Sequence, residues 1–400
     1  MLIKRDFFDS LRQSATLESV LLWGARQVGK TTLLDQLPLQ SRHFLDDLGE
    51  RERAQNDPAL FLDAVKLPCL IDEVQYAPNI FPEIKLRIDR IRRENVRLAS
   101  KTSSAPLFYL TGSNRVLLDK NIKESLAGRC QTYMLHGLSV REIMAAFPNS
   151  SLRLIIFRGG LPELYTRENV PVIHYLNNYI LSFVEKDIAM SSGVVKLAEF
   201  HTVIKLLAAR SAQFLNVNEI AGAAGVEQKT VQAWIDLLER CGLVQQLAPF
   251  HTNLSKRITK MSKFYFYDTG LCARLQSHTS EDTLWNSAQI GALFETLTFS
   301  EIMKTRDNFL KDWNVFAWRT KDQDEIDFIV QRENDILFLE AKLAIHGAKP
   351  FTLDREALKV FKPPHRKVLV TAGGELVKLD SETTAVPLAR LGDFLLTRFS

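Results

Sequence analysis

Cysteine is scarce: Cys69, Cys130, Cys241 and Cys272 are the only four in 400 residues, they are scattered among apolar stretches, and none forms a C-x-x-C pair. That excludes a disulfide scaffold or a zinc framework, and the thiols are expected to be reduced and packed in cores. No apolar run approaches the ~20 residues that a membrane-crossing helix needs. The opening Met1-Leu2-Ile3-Lys4-Arg5-Asp6-Phe7-Phe8 is too charged and broken for a secretory leader. A cytoplasmic protein with no membrane partner is therefore expected. Internal repeats and low-complexity tracts are absent, and so is a strong charge imbalance: 51 Lys and Arg face 47 Asp and Glu, a net +4. Such a balance permits contact with nucleic acid without requiring it. The length suggests about two to four domains.

What is present begins near the N-terminus. Gly24-Ala25-Arg26-Gln27-Val28-Gly29-Lys30-Thr31 follows the apolar run Val20-Leu21-Leu22-Trp23 and leads into Thr32-Leu33-Leu34. This is a G-x-x-x-x-G-K-[ST] phosphate loop in strand–loop–helix context. Gly24 and Gly29 let the backbone curl so that successive N–H groups point inward, and the following helix adds its positive end. Lys30 is expected on the β- and γ-phosphates and the Thr31 hydroxyl on Mg²⁺. A nucleoside triphosphate is the expected ligand, contacted by Gly24 through Thr32.

Leu70-Ile71-Asp72-Glu73 ends a second apolar strand. Asp72 would hold the magnesium through water, and Glu73 would polarise the attacking water. A third run, Leu107 to Thr111, ends in Gly112-Ser113-Asn114. A polar side chain at the tip of a strand lying between the other two would touch the γ-phosphate and the water. Ser113 and Asn114 both qualify, and Asn114 is preferred. Arg129, before the strand-like Thr132-Tyr133-Met134-Leu135, would act as a charge-stabilising finger in cis or from a neighbouring subunit; an ordinary surface arginine is the equal alternative.

On GARQVGKTT at 24, LIDEVQ at 70, LTGSN at 110 and SLAGR at 125, residues 1–150 resemble an AAA-type ATPase core of the additional-strand P-loop class. Gly159-Gly160-Leu161-Pro162-Glu163, Phe266-Tyr267-Asp268-Thr269-Gly270-Leu271 and Glu340-Ala341-Lys342 extend the likeness. With them the whole chain resembles prokaryotic ATP-binding proteins that carry a C-terminal domain of unknown function. The resemblance implies ATP as the nucleotide, with Mg²⁺. Ala25 stands where relatives often carry proline, which still permits the loop.

Residues 151–195 are helical in pattern and would form a small lid or linker over the nucleotide; Arg158 and Arg167 there offer phosphate contacts no different from those of surface arginines. Residues 196–280 read as helix, turn, helix and strand, as in winged-helix domains. Along the second helix Glu227, Asp236 and Glu239 outnumber Lys229, a poor balance for a phosphate-rich groove. Lys256, Arg257, Lys260 and Lys263 follow with no acidic residue among them, so a basic wing on the DNA backbone is expected. A winged helix packed on protein is the equal alternative.

Residues 281–400 carry a second constellation. Glu295 lies in a helical pattern, Asp327 in a strand-like alternation, and Glu340 and Lys342 at i and i+2 of another strand, on one face. If the two strands pair as a hairpin, Asp327 joins Glu340 around a second divalent cation. Lys342 would then orient the water that attacks a phosphodiester. The arrangement resembles the restriction-endonuclease-like PD-(D/E)xK nucleases, in which a helix glutamate like Glu295 completes the site; Ile326 replaces the proline of that name. A retained fold that no longer cleaves is the alternative.

The expected fold is α/β multidomain: a parallel-sheet P-loop ATPase core, a helical lid, a winged helix and a restriction-endonuclease-like α/β C-terminal domain. The expected function is an ATP-hydrolysing switch acting on DNA, with metal-dependent nuclease activity at its end. A non-cleaving, nucleotide-gated regulator with a protein partner is the alternative. An oligomeric motor with Arg129 between subunits ranks third.

Overall fold

The computed structural model describes residues 1–97, 106–113, 125–182, 194–250, 261–320, 324–343 and 353–399 apart from 354, 362 and 364. They form two compact units, Lys4–Gly137 and Leu138–Ser400, the second including Met1–Ile3.

The smaller unit is built on five parallel strands: β1 (Ser19–Trp23), β2 (Ser41–Phe44), β3 (Cys69–Asp72), β4 (Phe108–Gly112) and β5 (Cys130–Met134), in the order β2-β3-β4-β1-β5. β1, β3 and β4 are buried along their whole lengths, which is why they read as near-continuous apolar runs. The helices are α1 (Phe7–Ser14), α2 (Lys30–Leu34), α3 (Leu48–Asn56), α4 (Pro58–Asp63) and α5 (Ile80–Arg97). Asp47 and Asp57 start α3 and α4 by accepting from Glu50 N and Leu60 N, 2.9 Å each. Ile80, Ile84 and Ile88 recur every fourth residue of α5, and that face packs with Ile71, Phe108 and Leu110 of the sheet. β4 is inserted between β1 and β3, as the additional-strand likeness implies. The carboxyl ends of these three strands therefore sit side by side, where open α/β sheets bind ligands.

The larger unit opens with α6 (Val140–Ala146), α7 (Leu152–Arg158), α8 (Glu163–Thr166) and α9 (Val172–Tyr179). α10 (Leu197–Ala209), β6 (Gln213–Phe214), α11 (Val217–Ala224), α12 (Gln228–Arg240), β7 (Val244–Leu247) and β8 (Lys263–Phe266) follow. β6, β8 and β7 make a three-stranded antiparallel sheet in that spatial order. Buried Val231, Trp234, Ile235 and Leu238 line one face of α12, with Trp234 edge-on to Phe200 at 5.2 Å.

α13 (Thr269–Leu275), α14 (Glu281–Trp285) and α15 (Ile290–Asn308) lead to β9 (Asn314–Arg319), β10 (Glu325–Arg332) and β11 (Asp335–Lys342). Then come α16 (Arg355–Val360), β12 (Arg366–Thr371), β13 (Val377–Lys378), β14 (Thr383–Pro387) and α17 (Leu388–Arg398). The sheet runs β13-β14-β12-β11-β10-β9; β9 to β11 form an antiparallel meander, and β12 lies parallel to β11. α15 is buried on nearly every side, so its polar groups need partners. Ser300 Oγ donates to Tyr267 O at 2.6 Å, and the Glu301 carboxylate accepts from Val140 N at 2.7 Å at the start of α6.

Two of the quoted motifs form one packing device here. Asp268 accepts from Gly160 N at 2.7 Å through one oxygen and from Leu271 N at 2.8 Å through the other, capping α13. A Cβ on Gly270 would lie 2.4 Å from Arg158 O, so α7 and α13 meet backbone to backbone. The α7 segment, read as part of a nucleotide lid, is thus packed on α13 within the larger unit.

The cysteines are free; Cys69, Cys241 and Cys272 are buried, and burial pushes each of these thiols up to about 12. They are inert packing groups.

Candidate functional site

The phosphate loop leaves β1 where Leu135 N donates to Trp23 O at 2.8 Å. A Cβ on Gly24 (φ +155°) would lie 2.1 Å from Leu135 O, so only glycine passes. Gln27 (φ 61°) and Gly29 (φ 92°) are left-handed, which turns successive N–H groups toward a common centre. Lys30 opens α2 and is only 5% exposed; its ammonium donates to Gly24 O and Ala25 O, 3.0 Å each. Burial draws the Lys30 pKa down, against the pull of Glu73 and Asp72. Arg26 donates to the Tyr76 hydroxyl at 2.9 Å.

Asp72 ends β3 and accepts from Thr31 Oγ1 at 2.8 Å and from Thr111 Oγ1 at the tip of β4. Burial raises its carboxyl above the usual range, while the two hydroxyl donors oppose that rise. Glu73 N donates to Thr111 Oγ1 at 3.0 Å. The Glu73 backbone is left-handed (φ 54°, ψ 48°), a conformation that costs a non-glycine residue about 1–2 kcal/mol and is held by its surroundings. Its carboxylate accepts from Ser113 Oγ at 2.9 Å and from Gln75 Nε2. One chain of hydrogen bonds therefore runs Thr31–Asp72–Thr111–Glu73–Ser113 across the ends of the three strands.

Sequence reasoning missed Thr111 and Gln75. The signal for Thr111 was a lone hydroxyl at the tip of an otherwise apolar strand, hidden because threonine is common in strands. Asn114 lies outside the described residues; Ser113 is the neighbour that reaches Glu73. The Thr31 hydroxyl and the Asp72 carboxylate are adjacent hard oxygens, a donor set that fits Mg²⁺.

Arg129 must be corrected as a finger in cis. β5 runs parallel to β1 with Cys130 beside Ser19, so Arg129 lies at the amino edge of the sheet while the loop leaves the carboxyl edge. Five residues of strand at ~3.3 Å each separate the two levels by roughly 16 Å. The Arg129 guanidinium instead bonds Asp89 on α5 at 2.6 Å and holds that carboxyl below its ordinary range. Arg129→Ala is expected to change steady-state ATP turnover by a single chain less than about twofold. A tenfold loss at concentrations where the protein is monomeric would reject this placement.

In the larger unit, Asp327 on β10 and Glu340 on β11 come together across a hairpin, one step beyond the Phe328–Leu339 pair. Asp327 Oδ2 accepts from Ala341 N at 2.9 Å, and Glu340 Oε1 lies 2.9 Å from Lys342 Nζ, which is half-exposed. Glu295 of α15 is joined to Asp327, but not to Glu340, through Lys263. Lys263 Nζ on β8 lies 2.7 Å from Glu295 Oε1, 3.2 Å from Asp327 Oδ1 and 3.7 Å from Glu325 Oε2. Tyr265 donates to Glu295 Oε1 at 2.6 Å.

Lys263 is 1% exposed, so its reading as a DNA-backbone contact is corrected: its charge is spent on Glu295, Asp327 and Glu325. Burial alone would lower its pKa, but Glu295 and Asp327 outweigh that and hold the ammonium charged. Among the described residues no group of three or more His, Cys, Asp or Glu could hold a metal ion, and with that ammonium in place the carboxylates do not fit the expected second divalent cation. Lys256, Arg257 and Lys260 lie outside the described residues.

Residues 17–144 match the family described as "AAA domain"; 149–282 and 290–391 match "Domain of unknown function (DUF8612)" and "Domain of unknown function (DUF4143)". An uncharacterized protein of Mycobacterium tuberculosis is 30% identical over 315 residues, 78% of this chain and 67% of its own length. Another, from Haemophilus influenzae, is 23% identical over 400 residues, covering 93% of each chain. The solved ORC2 protein of Aeropyrum pernix aligns over 68% of this chain and 89% of its own at 12% identity, with a TM-score of 0.33.

Proposed function

The chain belongs to the family of its mycobacterial relative and carries an AAA domain, and from that premise we propose that it is an ATP-hydrolysing switch that acts on DNA. The observation that supports hydrolysis best is the bonded chain from Thr31 to Ser113, which joins a metal-ligating hydroxyl to a general base. ATP would lay its phosphates on the loop N–H groups, and Lys30 would exchange its two carbonyl partners for phosphate oxygens. Thr31 and Asp72 would hold Mg²⁺, which supplies charge neutralisation between the phosphates. Glu73, held in place by Ser113 and by its own backbone, takes the proton of the attacking water.

DNA as partner rests on the order α10, β6, α11, α12, β7, β8, which is that of a winged helix, and on the basic stretch Lys256, Arg257 and Lys260. The order α15, β9, β10, β11, α16, β12, with β12 parallel to β11, supports a restriction-endonuclease-like end domain. A non-cleaving regulator is the second reading, and the Lys263 ammonium among the carboxylates favours it.

DNA affinity is expected to differ by about tenfold between a non-hydrolysable ATP analogue and ADP, measured by fluorescence anisotropy on a labelled duplex. Turnover without any DNA binding would move the partner to protein. A folded protein that binds no ATP would sink the switch.

A further inference from the structure

Lysine is almost never fully buried unless its charge is met. Lys263 is 1% exposed and its charge is met by Glu295, Asp327 and Glu325, which come from two different elements. It is carried by β8, the middle strand of the three-stranded sheet, whereas the carboxylates belong to α15 and β10. Further donors meet the carboxylates around it. Tyr265 donates to the same Glu295 oxygen, Ala341 N occupies the second Asp327 oxygen, and Lys342 lies on Glu340.

We propose that Lys263 is a built-in plug: its ammonium fills the place between Glu295 and Asp327 that a divalent cation would need, and closes the centre to metal while β8 stays seated. The proposal rests on the restriction-endonuclease-like reading of α15 to β12, since that reading alone gives the carboxylates a metal to exclude. Its physical basis is simple. A divalent ion brought to Glu295 and Asp327 would stand within contact distance of a buried positive charge. It would also have to displace the donors that these carboxylates already hold. Opening the centre therefore requires Lys263 to leave, and a side chain this buried on the middle strand ties that departure to movement of β8. In this way the three-stranded sheet, the element proposed to bind DNA, controls the end domain without adding any residue to its metal ligands.

The test is Mn²⁺ binding to the nucleotide-free full-length chain, read by electron paramagnetic resonance. Four other forms are compared with the wild type: Asp327→Asn, Lys263→Met, Lys263→Gln, and Lys263→Met with Asp327→Asn. The wild type and Asp327→Asn are expected to be indistinguishable up to about 1 mM Mn²⁺. Lys263→Met, nearly the same length without the charge, should gain one site at least about tenfold tighter than anything in the wild type. That site should vanish again in the double variant.

An Asp327-dependent Mn²⁺ site in the wild type overturns the plug. So does a folded Lys263→Met or Lys263→Gln protein that gains no site. Should Lys263→Met fail to fold, Lys263→Gln carries the same comparison, and any Mn²⁺ difference between the wild type and Asp327→Asn overturns the plug by itself. DNA cleavage is scored separately in the same samples. Mn²⁺ bound by Lys263→Met without cleavage sinks the nuclease reading and leaves the plug standing.

Discussion

Glu73→Gln is expected to slow ATP hydrolysis about 10²- to 10⁴-fold while leaving ATP binding nearly unchanged. The substitution keeps size and shape, so the left-handed backbone and the bond from Glu73 N to Thr111 need not move. What it removes is the negative oxygen that accepts from Ser113 and can take the proton of water. A carboxamide cannot accept that proton, and its own N–H groups face the Gln75 amide that now donates to the carboxylate. Single-turnover hydrolysis beside equilibrium binding of a fluorescent ATP separates the two effects. A parallel loss of binding would show Glu73 to be structural, and unchanged turnover would place the base elsewhere. The variant should also hold the chain in its ATP-bound state, so its DNA affinity should match that of the wild type with a non-hydrolysable analogue.

The second large effect is on binding. Lys30→Ala is expected to weaken ATP by about 10²-fold, because a charge-assisted contact to phosphate is worth roughly 1.5–3 kcal/mol and this lysine would make more than one. It does more than carry charge. Its ammonium donates to Gly24 O and Ala25 O, so it closes the loop that it serves. Alanine leaves both carbonyls without that donor, and the loop should lose order as well as affinity. Hydrogen exchange at Arg26 to Lys30 should rise even without nucleotide, which a purely electrostatic role would not produce. Affinity within about twofold of wild type would mean that the nucleotide does not sit on this loop.

How much of this was legible depended on how far apart in the chain the cooperating residues are. The phosphate loop is eight consecutive residues, and its glycines, lysine and threonine dictate backbone curl, charge and hydroxyl position together. Asp72 and Glu73 were legible as a polar pair closing an apolar run. Their dependence on Thr111 was not, because nothing local says which strand is inserted between β1 and β3. The end-domain carboxylates were read from their strand pattern, and β10 and β11 do pair as an antiparallel hairpin. Arg129 stayed open between a finger and a surface arginine because a motif gives order along the chain but not which edge of the sheet it reaches. Lys263 misled for a related reason: a lysine following three other basic residues looks like part of a surface stripe until its strand is seen to run inward.

The sequence by itself determined the phosphate loop, the acidic pair that closes the second apolar strand and the alternation of helices and strands in both units. Each of these follows from neighbouring residues, whose sterics and polarity act over a few bonds. Only the tertiary structure decided which groups share a centre. Lys263 meets Glu295, Asp327 and Glu325 across distant stretches of chain, and Arg129 meets Asp89 on the far side of the sheet from the loop. The reason is electrostatic: a charge can be buried only where the fold supplies an opposite charge, and strand order, which no short segment encodes, sets that meeting.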